Sequence, residues 1–177
     1  IDGARLGYGL MSEACEYDLP FLAKHCDVFY IGGTKVGAMI GEAVVFTGMK
    51  APKYFFTIVK RHGALLAKGR MLGIQFDTLF TDNLYFKVSQ HAINMAVCIC
   101  DIFKKHGIAI AYDSPTNQQF IVLPKRLYEA LSQKVAFEIW ERKSDEEIVC
   151  RFVTSWATKE EELDELDRIL TTLCGAC

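Results

Sequence analysis

The stretch Tyr30-Ile31-Gly32-Gly33-Thr34-Lys35-Val36-Gly37-Ala38-Met39-Ile40-Gly41 decides how the rest of the chain is read. An apolar run from Asp27 to Ile31 predicts a buried strand; it stops at two glycines, presents one lysine, and passes two more glycines into a second apolar run, Ala43 to Phe46. Lys35 is thus a lone cation between two hydrophobic strands. Glycines clear side chains from the backbone around it, so a large flat group can approach, and an amine in apolar surroundings is pushed towards the neutral, nucleophilic form. That is how a Schiff-base lysine is built. A glycine-rich loop whose lysine points into water fits the same pattern. A phosphate-cradling nucleotide loop does not, because its lysine follows Gly and precedes Ser or Thr, whereas Lys35 lies between Thr34 and Val36.

Upstream, Ile1-Asp2-Gly3-Ala4-Arg5 predicts a strand reaching a turn, and Asp18 caps a short helix to about His25 with Pro20 in its first turn. Strand, helix and strand in that order argue for a parallel α/β sheet, whose ligands bind at the carboxyl ends of strands. Asp2 and Lys35 both stand at such ends. Downstream, helical patterns run from Tyr54 to Ala67 and from Met71 to Phe80. Asp82 is placed to cap a long helix with Phe86, Ile93, Ala96, Val97, Cys100 and Phe103 on one face, closed by Gly107. Beyond it the pattern changes. Strands are expected at 108–112, 119–123, 135–141 and 148–154, a helix from Pro124 to about Ser132, and a last helix opened by a capping box at Thr158-Lys159-Glu160-Glu161.

The 177 residues, 51% hydrophobic and 24% charged, carry a net charge of -2. That is the composition of a globular protein with a core, and it supplies no broad positive field for nucleic acid or an anionic membrane. No apolar run approaches the length of a membrane span. Seven scattered cysteines suit reduced thiols and a cytoplasmic setting. Cys174-Gly-Ala-Cys177 has no second pair at ligand spacing, so no metal site is expected. The start at Ile1 rather than Met suggests an upstream segment, as does an open sheet with so few strands.

One residue conflicts with its pattern. Alternation sets Val149, Arg151 and Val153 on one face of a strand, which places a guanidinium between two β-branched apolar residues. Arginine's fork matches a carboxylate in two parallel hydrogen bonds, so Arg151 is a candidate for gripping a substrate acid group. Pairing with Glu138 or Glu141 of the neighbouring strand accounts for it equally well.

Taken together, Asp2-Gly-Ala-Arg5, Gly32-Gly-Thr-Lys35 and Arg151-Phe-Val-Thr-Ser-Trp156 resemble motifs of the low-specificity L-threonine aldolases, in the β-eliminating-lyase group of pyridoxal-phosphate enzymes. The resemblance implies an α/β chain: the C-terminal portion of a fold-type-I, aspartate-aminotransferase-like large domain at 1–80, then a small α+β domain at 81–177. It implies pyridoxal 5'-phosphate bound as a Schiff base to Lys35, with Asp2 on the pyridinium nitrogen. It further implies Thr34 near the phosphate, Arg70 reaching a neighbouring subunit's phosphate, and Arg5 and Arg151 holding the substrate carboxylate. The activity implied is cleavage of L-threonine or L-allo-threonine to glycine and acetaldehyde by a homodimer or homotetramer with active sites at its subunit interface. A β-eliminating lyase or an aminotransferase of the same fold would use the same lysine and aspartate, and a non-catalytic dimerisation or binding module would use neither.

Overall fold

The computed structural model describes residues 1–48 and 51–175, and these divide into two compact units, 1–11 with 15–48 and 51–89, and 12–14 with 90–175. The boundary falls inside one long helix. Each unit is described by itself.

The first unit begins with α1 (Leu6–Leu10) and α2 (Leu19–His25), followed by β1 (Val28–Gly32) and β2 (Glu42–Phe46). Helix α2 starts as its sequence predicts: Asp18 is extended, its carboxylate accepts the Phe21 N–H at 2.8 Å, and proline sits where no N–H is needed. The two strands pair antiparallel with Val28 opposite Phe46 and Gly32 opposite Glu42. The sequence leaves the direction of this pair open, because apolar periodicity fixes which residues are buried but not which way a partner runs. A parallel relation does exist on the other edge of β1. The Ile1 amino group donates to the Val28 carbonyl, Tyr30 N–H to the Ile1 carbonyl, and Gly32 N–H to the Gly3 carbonyl, a stagger found only between chains running the same way.

Helix α3 (Phe55–Arg61) is shorter than its pattern suggests and stops at Gly63, where φ is 73°. Helix α4 (Arg70–Phe80) follows, and α5 (Leu84–Lys105) starts after a 3₁₀ turn containing Asp82 at φ 51°. An N-cap residue is extended, so Asp82 in the left-handed region is not the cap expected of it. Leu6, Tyr8, Leu10, Leu22, Phe29, Ile31, Val36, Leu79 and Tyr85 are buried in this unit.

In the second unit the rest of α5 buries Ile93, Ala96 and Phe103 of the expected stripe together with Met95 and Ile99, while Val97 at the stripe's edge is exposed. Gly107 at φ 72° and the Ile108 N–H donating to the Phe103 carbonyl close the helix in a Schellman turn. Strands β3 (Gln118–Pro124), β4 (Glu138–Arg142) and β5 (Glu147–Val153) form an antiparallel sheet ordered β3-β5-β4, with α6 (Lys125–Leu131) between β3 and β4. The run expected as a strand at 108–112 contributes a single bridge, Ile110 to Ile121. Helix α7 (Glu160–Cys174) opens one residue later than its motif: Lys159 is the cap and Glu162 accepts its N–H at 3.0 Å, while the Thr158 hydroxyl accepts from Ser155. Ile121, Leu123, Ile148, Cys150 and Phe152 of the sheet pack with Leu163, Leu166 and Leu170 of α7 and with the buried face of α5. Cys177, half of the terminal cysteine pair, lies outside the described residues.

Candidate functional site

The site is built outward from Gly32, the last residue of β1. A Cβ on Gly3 would lie 1.6 Å from the Tyr30 carbonyl oxygen, and one on Gly32 would lie 2.4 Å from the Ala4 carbonyl oxygen. Only glycine lets these two segments touch. Tyr85 of α5 locks the junction: its buried phenol donates to the Gly32 carbonyl at 3.0 Å and accepts the Gly7 N–H at 3.0 Å. Burial pushes that phenol up to about 12, so it stays a donor across the working pH range.

Thr34–Val36 forms a single 3₁₀ turn directly after this junction. Val36 is fully buried and pins the turn; Gly37 reverses the chain at φ 103°. The Lys35 carbonyl accepts the Tyr8 hydroxyl, so α1 holds the backbone of the lysine while its side chain stands exposed. The described residues therefore do not furnish the apolar enclosure that the flanking strands suggested. The Glu42 carboxylate takes the Gly33 N–H at 2.8 Å on one oxygen and the Thr34 hydroxyl at 3.2 Å on the other. The Gln75 side-chain carbonyl of α4 accepts the Met39 N–H at 2.6 Å and fixes the far end of the loop.

Asp2 faces this loop from the segment beside β1. Its carboxylate accepts the Tyr30 hydroxyl and the Ala4 N–H at 3.1 Å. The Tyr30 phenol, first, then the Ala4 N–H and the Lys35 ammonium hold the carboxyl below its ordinary range, and the same bond pushes the Tyr30 phenol up. Asp2 and Lys35 are thus within electrostatic reach of one another. Arg5 is half-buried at the start of α1, with no carboxylate paired to it among the described residues. Arg70 opens α4 fully exposed, and no hydrogen bond or ion pair among the described residues ties it to Asp2 or Lys35.

Arg151 belongs to the second unit. One terminal nitrogen pairs with Glu138, the other donates to the Gln118 side chain at 3.0 Å, and the guanidinium lies 5.4 Å from the centre of the Trp140 ring. Its Nε is buried without a partner. The neighbour-strand pairing weighed from the sequence is therefore present, and one donor is left over.

Sequence reasoning missed Tyr8, Glu42, Gln75 and Tyr85, the four side chains that shape the lysine loop. Tyr8, Gln75 and Tyr85 act on backbone far away in the chain, 78 residues between Tyr85 and Gly7, and Glu42 acts across a strand pairing, so no local pattern carries such information. Tyr8 and Tyr85 carry the only hint, since a tyrosine at a core position must find a partner for its hydroxyl.

No protein-family model matches the chain. The low-specificity L-threonine aldolase of Pseudomonas aeruginosa is 26% identical over 99% of this chain and 50% of its own length. The solved structure of Leishmania major threonine aldolase superposes with a TM-score of 0.92 at 36% identity, covering 98% of this chain and 51% of that one. A serine palmitoyltransferase from Sphingomonas wittichii shares the fold at 11% identity, with a TM-score of 0.66 over 99% of this chain and 46% of that one. The fold is α/β and matches these fold-type-I enzymes over about half of their length. The chain is homologous to the low-specificity L-threonine aldolases across nearly all of its own length and about half of theirs.

Proposed function

We propose that the intact protein cleaves a small β-hydroxy amino acid, L-threonine or L-allo-threonine, to glycine and acetaldehyde with pyridoxal 5'-phosphate. The observation that carries this reading is the pairing of an exposed Lys35 on a rigid turn with an ionised Asp2 in electrostatic reach. These residues fit the cofactor. The amine is free to attack an aldehyde, and a carboxylate held below its ordinary range suits a protonated pyridine nitrogen. When bound, the cofactor supplies an electron sink for the pair released as the Cα–Cβ bond breaks.

The chain's own residues do the rest. Lys35 holds the cofactor carbon, and the tethered backbone keeps the amine from wandering. Asp2, oriented by Tyr30 and Ala4, keeps a negative charge facing the ring nitrogen. Thr34 precedes the lysine, where the resemblance would bring the phosphate end near, and its hydroxyl proton goes to Glu42. Arg5 and Arg151 hold the substrate carboxylate, and so choose which Cα bond lies along the axis where it weakens. Residues 1–80 act as part of the cofactor domain and 81–177 as the small domain.

A homodimer or homotetramer with its active sites at the subunit interface belongs to the same reading. Phe56, Met71 and Ile74 are 72%, 57% and 50% exposed, an apolar surface of the kind a second copy covers. Arg70 stands in that segment, free to reach a neighbouring subunit's phosphate. A cytoplasmic setting completes the proposal.

Adding pyridoxal phosphate to the intact protein, reducing with borohydride and mapping peptides tests the site: the label is expected on Lys35, and a label on another lysine overturns it. Parallel assays for acetaldehyde from threonine, pyruvate from serine and amine transfer to a keto acid test the reaction. Acetaldehyde supports the aldolase; pyruvate or transfer product without it assigns the same site to a β-eliminating lyase or an aminotransferase. A protein that takes up no cofactor is a binding module instead.

A further inference from the structure

We infer that Glu42 is a positioning residue for Lys35, a carboxylate clamp that sets the direction of the lysine-bearing turn, and that Thr34 acts through this clamp rather than as a donor to an anion. The inference rests on reading Lys35 as the cofactor-bearing amine.

Strand register places Glu42 directly across from Gly32, at the mouth of the loop. From there its two oxygens reach the two residues immediately before Lys35, one taking the Gly33 N–H at 2.8 Å and the other the Thr34 hydroxyl at 3.2 Å. The other tethers of this loop, Tyr8, Gln75 and Tyr85, are neutral. Glu42 alone among them is charged, and a charge-assisted bond is roughly twice as strong as a neutral one. Buried Val36 and the Tyr8 hydroxyl hold the turn at and beyond Lys35, and the clamp fixes its entrance, so it helps set where the amine points. With its proton committed to Glu42, the Thr34 hydroxyl has none to give to a phosphate, and the carboxylate beside it repels one. Space limits Gly33 as well: a Cβ there would lie 2.7 Å from the Gly41 carbonyl oxygen, so the clamp must work on a bare backbone N–H.

The test uses the intact protein with Glu42→Gln, Thr34→Val and the pair. Glutamine offers one acceptor oxygen to two donors and turns an NH₂ towards the second. In cofactor-free protein, hydrogen exchange across residues 30–41 should speed up in Glu42→Gln with other segments unchanged. On adding pyridoxal phosphate, the lysine-bound chromophore should form about 10- to 100-fold more slowly, and kcat should fall by a similar factor with KM near the parent's, as for a misplaced but intact group. Thr34→Val should act in the same direction, and the pair should lose no more than Glu42→Gln alone, because both changes release one clamp. Parental exchange in Glu42→Gln overturns the inference. So does an additive pair in which Thr34→Val weakens phosphate or cofactor binding, which makes Thr34 an anion donor. If Glu42→Gln fails to fold, Thr34→Val at an exposed position supplies the same exchange readout. A parent that never forms the chromophore overturns the proposed function, while exchange in the cofactor-free variants still decides the clamp.

Discussion

Lys35 rides on a three-residue turn in a loop whose backbone, from Gly32 to Met39, is held by side chains from four other segments, whereas Arg151 stands mid-strand with a sheet neighbour on either side. The first is held by its backbone and leaves its charge unspent; the second is held by its charge. Around Lys35 the polar tethers are aimed at carbonyls and N–H groups, so the amine stays available to an incoming group. Around Arg151 the guanidinium is engaged by Glu138 and Gln118, on the sheet face opposite the core side chains Ile121, Cys150 and Phe152. Reactivity in this chain depends on hydrogen bonds between segments far apart in sequence, and stability in the second unit depends on apolar packing of sheet against helix.

The contrast breaks most sharply at Lys35 itself. Lys35→Ala should leave the melting temperature of the intact protein near the parent's, because the side chain is exposed and only its backbone is tethered, yet remove nearly all turnover. Comparable threonine cleavage by the variant would take the lysine out of the chemistry.

Gly3→Ala is expected to damage the fold of the first unit more than any other single methyl. The added Cβ would sit 1.6 Å from the Tyr30 carbonyl oxygen, so the two segments must separate and lose the Gly32 N–H bond to the Gly3 carbonyl. A loss of about 3 kcal/mol or more follows for overpacking against backbone that cannot rotate away. Denaturant melts reading less than about 1 kcal/mol would show that the junction is looser than its geometry implies.

Arg151→Lys sharpens the comparison from the other side. If the arginine grips a carboxylate, substrate affinity should weaken by about 1.5 to 3 kcal/mol, since an ammonium does not reproduce the fork. If it serves only Glu138 and Gln118, affinity is unchanged and the melting temperature falls. Measuring KM and thermal stability on the same variant separates the two.

Tyr85→Phe tests whether polar tethers alone fix the lysine loop. Removing the hydroxyl strands the Gly7 N–H and the Gly32 carbonyl, at a cost of about 1 to 3 kcal/mol. The parent also gains an alkaline signature. Its phenol is raised from 10.0 to about 12 in the folded state, so this contribution is fully present below pH 10 and fades as pH rises through 12. Tyr85→Phe should flatten that limb of the stability profile, and an unaltered limb would assign it to another group.

What could be read from sequence was local or periodic. Asp18 declared its helix, Gly107 ended another, and Ile148, Cys150 and Phe152 alternate onto the buried face of β5 as drawn. Asp2 stood at a strand end and Arg5 came from the motif resemblance alone, whereas Lys35 and Arg151 stood out because charge broke an apolar or glycine-rich pattern. The direction of β2 beside β1 did not, since two runs of the same periodicity pair equally well either way. Asp82 misled because its side chain suits a cap, while its left-handed backbone is imposed by the turn into α5. Thr158 misled by one residue because its hydroxyl is taken by the Ser155 N–H upstream, which leaves Lys159 as the cap with Glu162 accepting its N–H. Nothing local marks Glu42, which matters only because the register sets it opposite Gly32.

The smallest effect is expected where the second unit uses charge at its surface rather than packing. Asp167 of α7 accepts from Lys105 at 2.6 Å and from His106 at 2.7 Å, joining the last turn of α5 to the middle of α7. Lys105 first, then His106, holds the Asp167 carboxyl below its ordinary 3.8. A depressed carboxyl stabilises the fold at pH values above its unfolded pKa, and that stabilisation is lost as pH falls through the folded value. Asp167→Asn should therefore melt slightly below the parent at neutral pH, with the gap closing in acid below about pH 4 as the parent's carboxylate takes up its proton. Lys105 is largely exposed and solvent screens its share, so added salt should narrow the same gap. His106 is sheltered, and its bond should survive the salt. A gap that is indifferent to both acid and salt would show that Asp167 contributes shape to the α5–α7 contact rather than charge.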